Sequence, residues 1–297
     1  MKKFVLLFFL VAGSSIQVFS QVSADSLKVT NEELDSRYIY EVEDRKEPDK
    51  VLHAEPLYVD LIRDLGARKG EREWNIGLGL IDNLRFDTYQ ALIEYEFAPI
   101  NRVGFEVEIP ITLYTLNEPN QSRPSDRIES LKTAIQWSFL VSERMKTTLA
   151  LGYINELKFT DLARLRAEPV LMGNEFNPFF VAAKRWGNNF HTLVYTGPRF
   201  ERLFGRREWH RSYEINTNFH LMIPGTRNFL GIEFNKNIAH NKVNGVARPQ
   251  LRLGVSDNLL IGIVAGIPFS RQDQRLSSFL RIIYEPAHKN RKPVFVG

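Results

Sequence analysis

From Arg72 onward, apolar residues recur at every second position, which is the period of a strand and not of a helix. The clearest stretch is 102–113. There Val103, Phe105, Val107, Ile109, Ile111 and Leu113 share one face, and Arg102, Gly104, Glu106, Glu108, Pro110 and Thr112 share the other. The segment before it sets Tyr89, Ala91, Ile93, Tyr95 and Phe97 against Gln90, Leu92, Glu94 and Glu96. Further on, Leu131, Thr133, Ile135, Trp137, Phe139 and Val141 oppose Lys132, Ala134, Gln136 and Ser138, and Tyr213, Ile215, Thr217, Phe219, Leu221 and Ile223 oppose Glu214, Asn216, Asn218, His220 and Met222. These runs exceed the usual soluble strand of about five or six residues and match the roughly nine to eleven that cross a bilayer.

The pattern predicts strands near 73–81, 86–98, 101–114, 129–142, 146–157, 177–187, 189–197, 211–224, 228–237, 245–255, 258–269 and 275–285. Alternation is least clean at 177–187 and 189–197. The even-numbered connections are short (99–100, 142–146, 187–189, 225–228, 256–258), and the odd-numbered ones include the long 115–128, 159–176, 198–210 and 236–244. Sorting by parity is the habit of outer-membrane barrels, with short periplasmic turns and longer outer loops; a soluble sandwich or lipocalin-like barrel has no reason for it. The expected fold is therefore all-β: a transmembrane antiparallel up-and-down β-barrel of about twelve strands over 72–285. Trp74, Tyr89, Tyr95, Phe97, Trp137, Tyr153, Tyr213 and Tyr284 fall on its apolar faces, several near strand ends where interfacial girdles belong.

Composition sharpens the picture by exclusion. Mean hydropathy is −0.25, too low for a polytopic helical membrane protein. Cysteine is absent, which removes disulfides, thiolate metal sites, a cysteine nucleophile and a lipidated anchor. Lys2 and Lys3, the apolar run Phe4–Gly13 and a polar stretch with Val18 and Ser20 have the layout of a secretory signal peptide over 1–20. Export directs the chain to the cell outer membrane and makes nucleic acid an unsuitable partner. Residues 21–50 carry nine acids against five bases and read as a disordered acidic periplasmic linker. Without Lys2 and Lys3 the net charge falls from +4 to +2, and the acid excess of the linker leaves +6 for the remainder. The last strand ends on Tyr284 and is similar to the C-terminal signal read by the outer-membrane assembly machinery, although a periplasmic tail, 286–297, follows it.

The stretch 51–71 is the most distinctive. Pro56 suits a first helical turn, Glu55 and Asp60 suit its positive end, and Gly66 suits its stop. Leu57, Leu61, Ile62 and Leu65 share one face, Asp60, Arg63 and Asp64 another, so a short periplasmic helix is expected, capping or plugging the barrel mouth. His53-Ala-Glu-Pro-Leu-Tyr-Val-Asp60, with Tyr58 inside it and Val59 in place of Ile, resembles the exported bacterial family named for its HAEPLYID motif. The resemblance implies an outer-membrane-type barrel of unassigned biochemical activity. The sharper alternative makes this element a docking site for a periplasmic partner, or a ligand site on His53, Glu55 and Asp60; as metal ligands, His53 and Glu55 are too few.

Parity turns charged residues into the lumen: Glu94, Glu96, Glu106 and Glu108 as an acidic patch, Lys132 and Glu156 beside it, His220, and Arg248, Gln250, Arg252 and Arg281 on later strands. Gly77, Gly79, Gly262 and Gly266 also point inward and leave room for a helix, a loop or water. Charges in a narrow barrel must be paired or hydrated. One reading is an ion-pair network that closes the barrel; the other is a hydrated path that selects polar or charged solutes. No spacing among the six histidines, His210 and His220 included, forms a catalytic or metal motif. A surface hydrolase is the minor alternative; no catalytic residue, cofactor or metal is assigned. Finally, 198–211 is expected as an outer basic loop, with Arg199, Arg202, Arg206 and Arg207 facing lipopolysaccharide phosphates or anionic solutes. The expected function is a channel or passive transporter for small polar or charged solutes. The alternative is a closed structural or adhesion barrel that binds through outer loops or its periplasmic extension. Bilayer lipid, lipopolysaccharide and a small polar solute complete the expected partners.

Overall fold

The computed structural model describes residues 29–59, 61, 64–116, 123–240, 242–272 and 274–286; the leader expected at 1–20 and the tail beyond Pro286 lie outside them. A helix, α1 (Asn31–Val42), precedes β1 (Arg72–Asn83), β2 (Phe86–Ile100), β3 (Val103–Leu116), β4 (Arg127–Ile128), β5 (Ser130–Ser142), β6 (Thr147–Phe159), β7 (Leu171–Trp186), β8 (Phe190–Leu203), β9 (Trp209–Met222), β10 (Phe229–Ala239), β11 (Lys242–Ser256), β12 (Leu259–Pro268) and β13 (Gln274–Tyr284). Each strand pairs antiparallel with its neighbours, and β1 pairs with both β2 and β13, so the sheet closes on itself. β4 and β5 flank Glu129 and both pair with β3, which makes them one broken stave. The wall is thus a closed twelve-stranded transmembrane barrel, built from the twelve segments the alternation predicts. Among the described residues no helix is long and apolar enough to cross a membrane.

The barrel is inverted relative to a soluble protein. Trp74, Ile76, Leu78 and Leu80 of β1, Val107, Ile109 and Leu113 of β3, and Trp137 of β5 are exposed on the outer surface. Such a continuous apolar belt belongs in lipid. Trp74, Tyr95, Phe97 and Phe105 form an aromatic run at one end, with ring centroids 4.6 to 5.7 Å apart. Glu94, Glu106, His191, Asn218, His220 and Glu233 are at most 1% exposed, all on inward positions. Backbone pairing satisfies the wall, so these polar groups must find partners inside.

Two wall regions depart from this rule, and they explain the weak alternation. Phe179, Val181 and Ala183 of β7 and Leu193 and Tyr195 of β8 also point inward. They pack with Ala134, Ala150 and the side chains of Val59, Leu61 and Leu65, which come from the segment ahead of β1. Across the lumen Leu52, Ala54 and Leu57 meet Met222, Phe229, Leu260, Val264, Phe279 and Ile283. An apolar inner face makes sense only because another piece of the chain occupies the lumen.

That piece corrects two expectations. The described residues of 51–71 form no helix, although their apolar spacing suits one. The peptide N–H groups of Ala54, Leu57, Tyr58, Val59 and Gly66 donate to wall side chains instead of to carbonyls four residues back. The helix lies earlier, at α1, in the stretch read as a disordered linker, where Asp35, Asp44 and Lys50 are buried. Asp35 explains this, because its carboxylate accepts from Asn189 Nδ2 (2.8 Å) and Gly225 N (2.9 Å), two turns at the short-turn end of the barrel. Tyr38, Ile39 and Val42 pack from α1 onto the cluster around Phe229. The helical cap exists, but a different segment supplies it.

The outer basic loop is also corrected. β8 continues to Leu203 and β9 begins at Trp209, so Arg199 and Arg202 are strand residues, as is His210, and only Arg206 and Arg207 sit in the turn. Pairing of Phe200 with Arg211 and of Arg202 with Trp209 extends the ladder beyond the expected ends. Arg199 turns inward onto Glu175 and onto Glu214 (2.6 Å).

Candidate functional site

From the short-turn end, the described residues between 43 and 67 enter the lumen. Seating is specified by side-chain acceptors of the wall. Glu233 of β10, fully buried, accepts from three consecutive backbone N–H groups: Leu57 (2.8 Å), Tyr58 (3.0 Å) and Val59 (3.1 Å). Gln250 Oε1 accepts from Leu57 N at 2.9 Å, while Gln250 Nε2 donates to His220 Nε2 at 2.7 Å. Ala54 N donates to His191 Nδ1 (3.1 Å), Gly66 N donates to Ser138 Oγ (2.9 Å), and His53 Nε2 lies 2.9 Å from Thr148 Oγ1. Arg248 lies 3.4 Å over the Tyr58 ring, and its Nε donates to Asn235. Leu57 occupies the space beside Gly262: a Cβ there would stand 2.6 Å from Leu57 Cδ2. A carboxylate that gathers successive amides is a nest-like contact, normally reserved for anions and here used by the wall to grip an irregular backbone.

Within the segment, Glu55 accepts from Leu65 N (2.8 Å) and holds the loop back on itself. Lys50 binds Asp64 (2.9 Å) and Glu71 (3.0 Å), and Glu43 joins Leu52 N (2.9 Å) to Arg185 (2.5 Å). Asp60 and Arg63 lie outside the described residues. The motif residues His53, Glu55, Pro56 and Tyr58 are therefore brought together inside the barrel, and not on a separate periplasmic element. His53 and Glu55 do not share a ligand: each is used in a different wall or loop contact.

The acidic patch faces the same lumen. Register places Glu94 opposite Glu108 and Glu96 opposite Glu106. Asn75 Nδ2 reaches Glu73 (2.8 Å), Glu94 (2.6 Å) and Glu96 (2.8 Å). Lys132 Nζ lies 3.1 Å from Glu106 and 2.9 Å from Glu108, and Arg281 lies 3.7 Å from Glu94. Glu94, Glu106 and Glu108 could converge on a cation, with ligand atoms within 4.8 Å of one another, but the Lys132 ammonium already stands on two of them. Arg252 is held by the carbonyl of Arg227 (3.0 Å) over the Phe229 ring. So the sequence-derived lumen residues divide into an acidic side with Lys132 and Arg281, and a side with His220, Arg248 and Arg252 that contacts or adjoins the inserted segment.

Two residues of that segment titrate abnormally, in opposite senses. Burial, then the nearby Asp64 carboxyl, raises Glu55 well above the usual carboxylate value. Burial, then His191 and Arg185, lowers His53 well below the usual imidazole value. A raised Glu55 stabilises the seated form below its free value, and this contribution is lost as pH rises through the raised one. A lowered His53 stabilises the seated form above its free value and loses that contribution as pH falls. From free values of roughly 4.3 and 6.5, the Glu55 contribution fades as pH rises and the His53 contribution fades as pH falls, so the two slopes have opposite signs. Seating should weaken toward either end of the pH range. Glu55→Gln is expected to flatten the alkaline limb and His53→Asn to shrink the acid one, read as protease protection of 43–67 across pH. Identical profiles in all three proteins would refute this.

Glu233 and His191, the central acceptors, were absent from the sequence-derived set. Glu233 carried a usable signal, because it shares inward parity with Gly231 and Asn235. His191 lay in the strand of poorest alternation.

A family model described as HAEPLYID-like matches residues 49–285. No curated protein matches the chain in sequence. Among solved structures, the COG4313 outer membrane channel from Pseudomonas putida F1 superposes with a TM-score of 0.56 at 11% identity, covering 76% of this chain and 99% of that one. The NanC porin gives 0.51 at 8% identity (71% and 98%), and the KdgM porin in complex with disordered oligogalacturonate gives 0.50 at 11% (71% and 98%). At such identities the likeness is one of fold: a porin-like outer-membrane barrel.

Proposed function

The chain belongs to the HAEPLYID-like family, and from that premise we propose that it is an outer-membrane channel for small polar or charged solutes, closed in its resting state by its own residues 43–67. The observation that carries this reading is Glu233, a buried wall carboxylate that holds three successive amides of the family's motif. Barrel staves need no such group for their own pairing. Its presence suits a seat, and a seat made of hydrogen bonds can be left and regained. Opposed acidic and basic walls behind the segment suit a path for polar solutes once it is vacated. The polypeptide is read as exported by its leader, assembled by the outer-membrane machinery, and oriented with its short turns and α1 at the periplasm. No chemical step is assigned to it.

Planar bilayers test the reading. The full chain is expected to stay mostly closed, and a chain lacking residues 29–70 is expected to conduct with a stable, larger unit conductance. Silence from both, with the barrel folded by heat-modifiable gel migration, would overturn the channel and favour a closed barrel that works through its outer surface.

A further inference from the structure

The long-loop end of β7–β9 carries an outward-facing grid set by strand register. Asn174, Arg202 and Trp209 lie side by side in one row, and Phe176, Phe200 and Arg211 in the next. The rows enclose two adjoining open grooves of about 320 and 270 Å³, which share Phe176 and Trp209; Phe204 and Gly205 close the rim of the larger. Arg206 and Arg207 follow in the turn.

The charges here have been sorted by the fold. In the linear sequence Glu201 stands beside Arg202, yet it points inward and pairs with Lys158 at 2.8 Å. Arg199, the inward-facing arginine of the same stretch, has two carboxylates, Glu175 and Glu214. By contrast Arg202, Arg206, Arg207 and Arg211 are exposed and make no ion pair among the described residues. Arg202 instead lies 5.6 Å over the Trp209 ring, which fixes its guanidinium over an aromatic face that is itself 42% exposed. Outward arginine is costly at the membrane midplane and close to neutral at the interface, where tryptophan also belongs. Diagonal neighbours on adjacent strands stand roughly 7–8 Å apart, a span over which two guanidinium forks can grip one phosphate.

We propose that this rim binds the phosphate groups of an outer-leaflet glycolipid of the lipid A type. Arg202 and Arg211 take the phosphate, Arg206 and Arg207 add charge from above, and Phe176, Phe200 and Trp209 receive the sugar edge and the upper acyl chain. A free anion would gain nothing from the aromatic floor, and an ordinary zwitterionic lipid would bring its own cation to the arginines.

The test titrates the detergent-solubilised full chain with bis-phosphorylated lipid A, with enzymatically dephosphorylated lipid A and with inorganic phosphate, following bound lipid by native mass spectrometry. Bis-phosphorylated lipid A is expected to be retained, and dephosphorylated lipid to bind at least tenfold more weakly. Arg202→Gln/Arg211→Gln should lose at least tenfold for the phosphorylated lipid while keeping heat-modifiable migration. Arg202→Lys should retain part of the binding, since a point charge replaces a fork. Equal binding of both lipids, or unchanged binding by the double variant, would overturn the proposal. So would displacement by inorganic phosphate at concentrations comparable to the lipid, which would make the rim a site for free anions.

Discussion

Glu233→Ala is expected to convert a mostly closed protein into one whose lumen segment is largely unseated. The substitution removes the acceptor of the Tyr58 and Val59 amides and one of the two acceptors of the Leu57 amide, which keeps Gln250 Oε1 at 2.9 Å. Each buried donor left unsatisfied costs about 1–3 kcal/mol, partly offset because a buried carboxylate is no longer desolvated. A net loss of about 3 kcal/mol changes the ratio of seated to unseated forms by roughly two orders of magnitude. The wall should survive, since Glu233 pairs with Arg248 and Asn218 through backbone groups that the substitution leaves in place. Added protease should then cut within 43–67 of folded barrels, and bilayer recordings should show frequent openings. Glu233→Gln keeps one acceptor oxygen, turns a donor toward Val59 N, and should fall between the two. If Glu233→Ala keeps both protection and closure, the wall does not hold the segment through this carboxylate.

Lys132→Met is expected to weaken the barrel itself. Its ammonium contacts Glu106 and Glu108, whose side chains are 0% and 8% exposed. Removing one partner from a buried ion pair typically costs about 3–5 kcal/mol, because the other charge stays buried. For a domain of this size, about 10 °C is the corresponding drop in unfolding temperature, read from the heat-modifiable gel shift. Adding Glu106→Gln and Glu108→Gln should recover most of that loss. Lys146→Met serves as the comparison, because Lys146 is a turn residue whose ammonium meets only the Gly187 carbonyl at 2.8 Å among the described residues. An unchanged transition for Lys132→Met would mean that the acidic patch is balanced without it.

The strands were legible because alternation is a property of single residues: each side chain faces either lipid or lumen, and its chemistry says which. The patch on β2 and β3 was legible for the same reason, since hairpin register places Glu94 beside Glu108. The inserted segment was not. Leu57, Leu61 and Leu65 repeat at helical spacing, and Pro56 and Gly66 look like ends. The deciding contacts, however, come from Glu233, Gln250 and His191, each more than a hundred residues away. Tertiary acceptors overrode a local preference. Helix α1 erred in the opposite direction. Glu32 and Glu33 in its first turn and Tyr38, Ile39 and Val42 on one side were present to be read, but acid excess suggested a solvated chain. Asp35 is buried because two turns supply it with donors.

The inserted segment goes in and comes out at one mouth. α1 rests on the turns at Asn189 and Gly225, and at the other end Ala67 O accepts from Arg102 N (2.6 Å), also in a short turn. It is a loop pushed into a ring, not a strand threaded through one, so withdrawing it drags no free end past the wall and breaks no stave. Glu233 is four residues from the start of β10 and Gln250 six from the end of β11, so the wall grips Leu57 roughly 13–20 Å in along those strands. Pulling on α1 from the periplasm would draw it out like a bolt, whereas force applied from outside would bear on the bight alone. Mechanical release is therefore one-sided, and the handle is the helix.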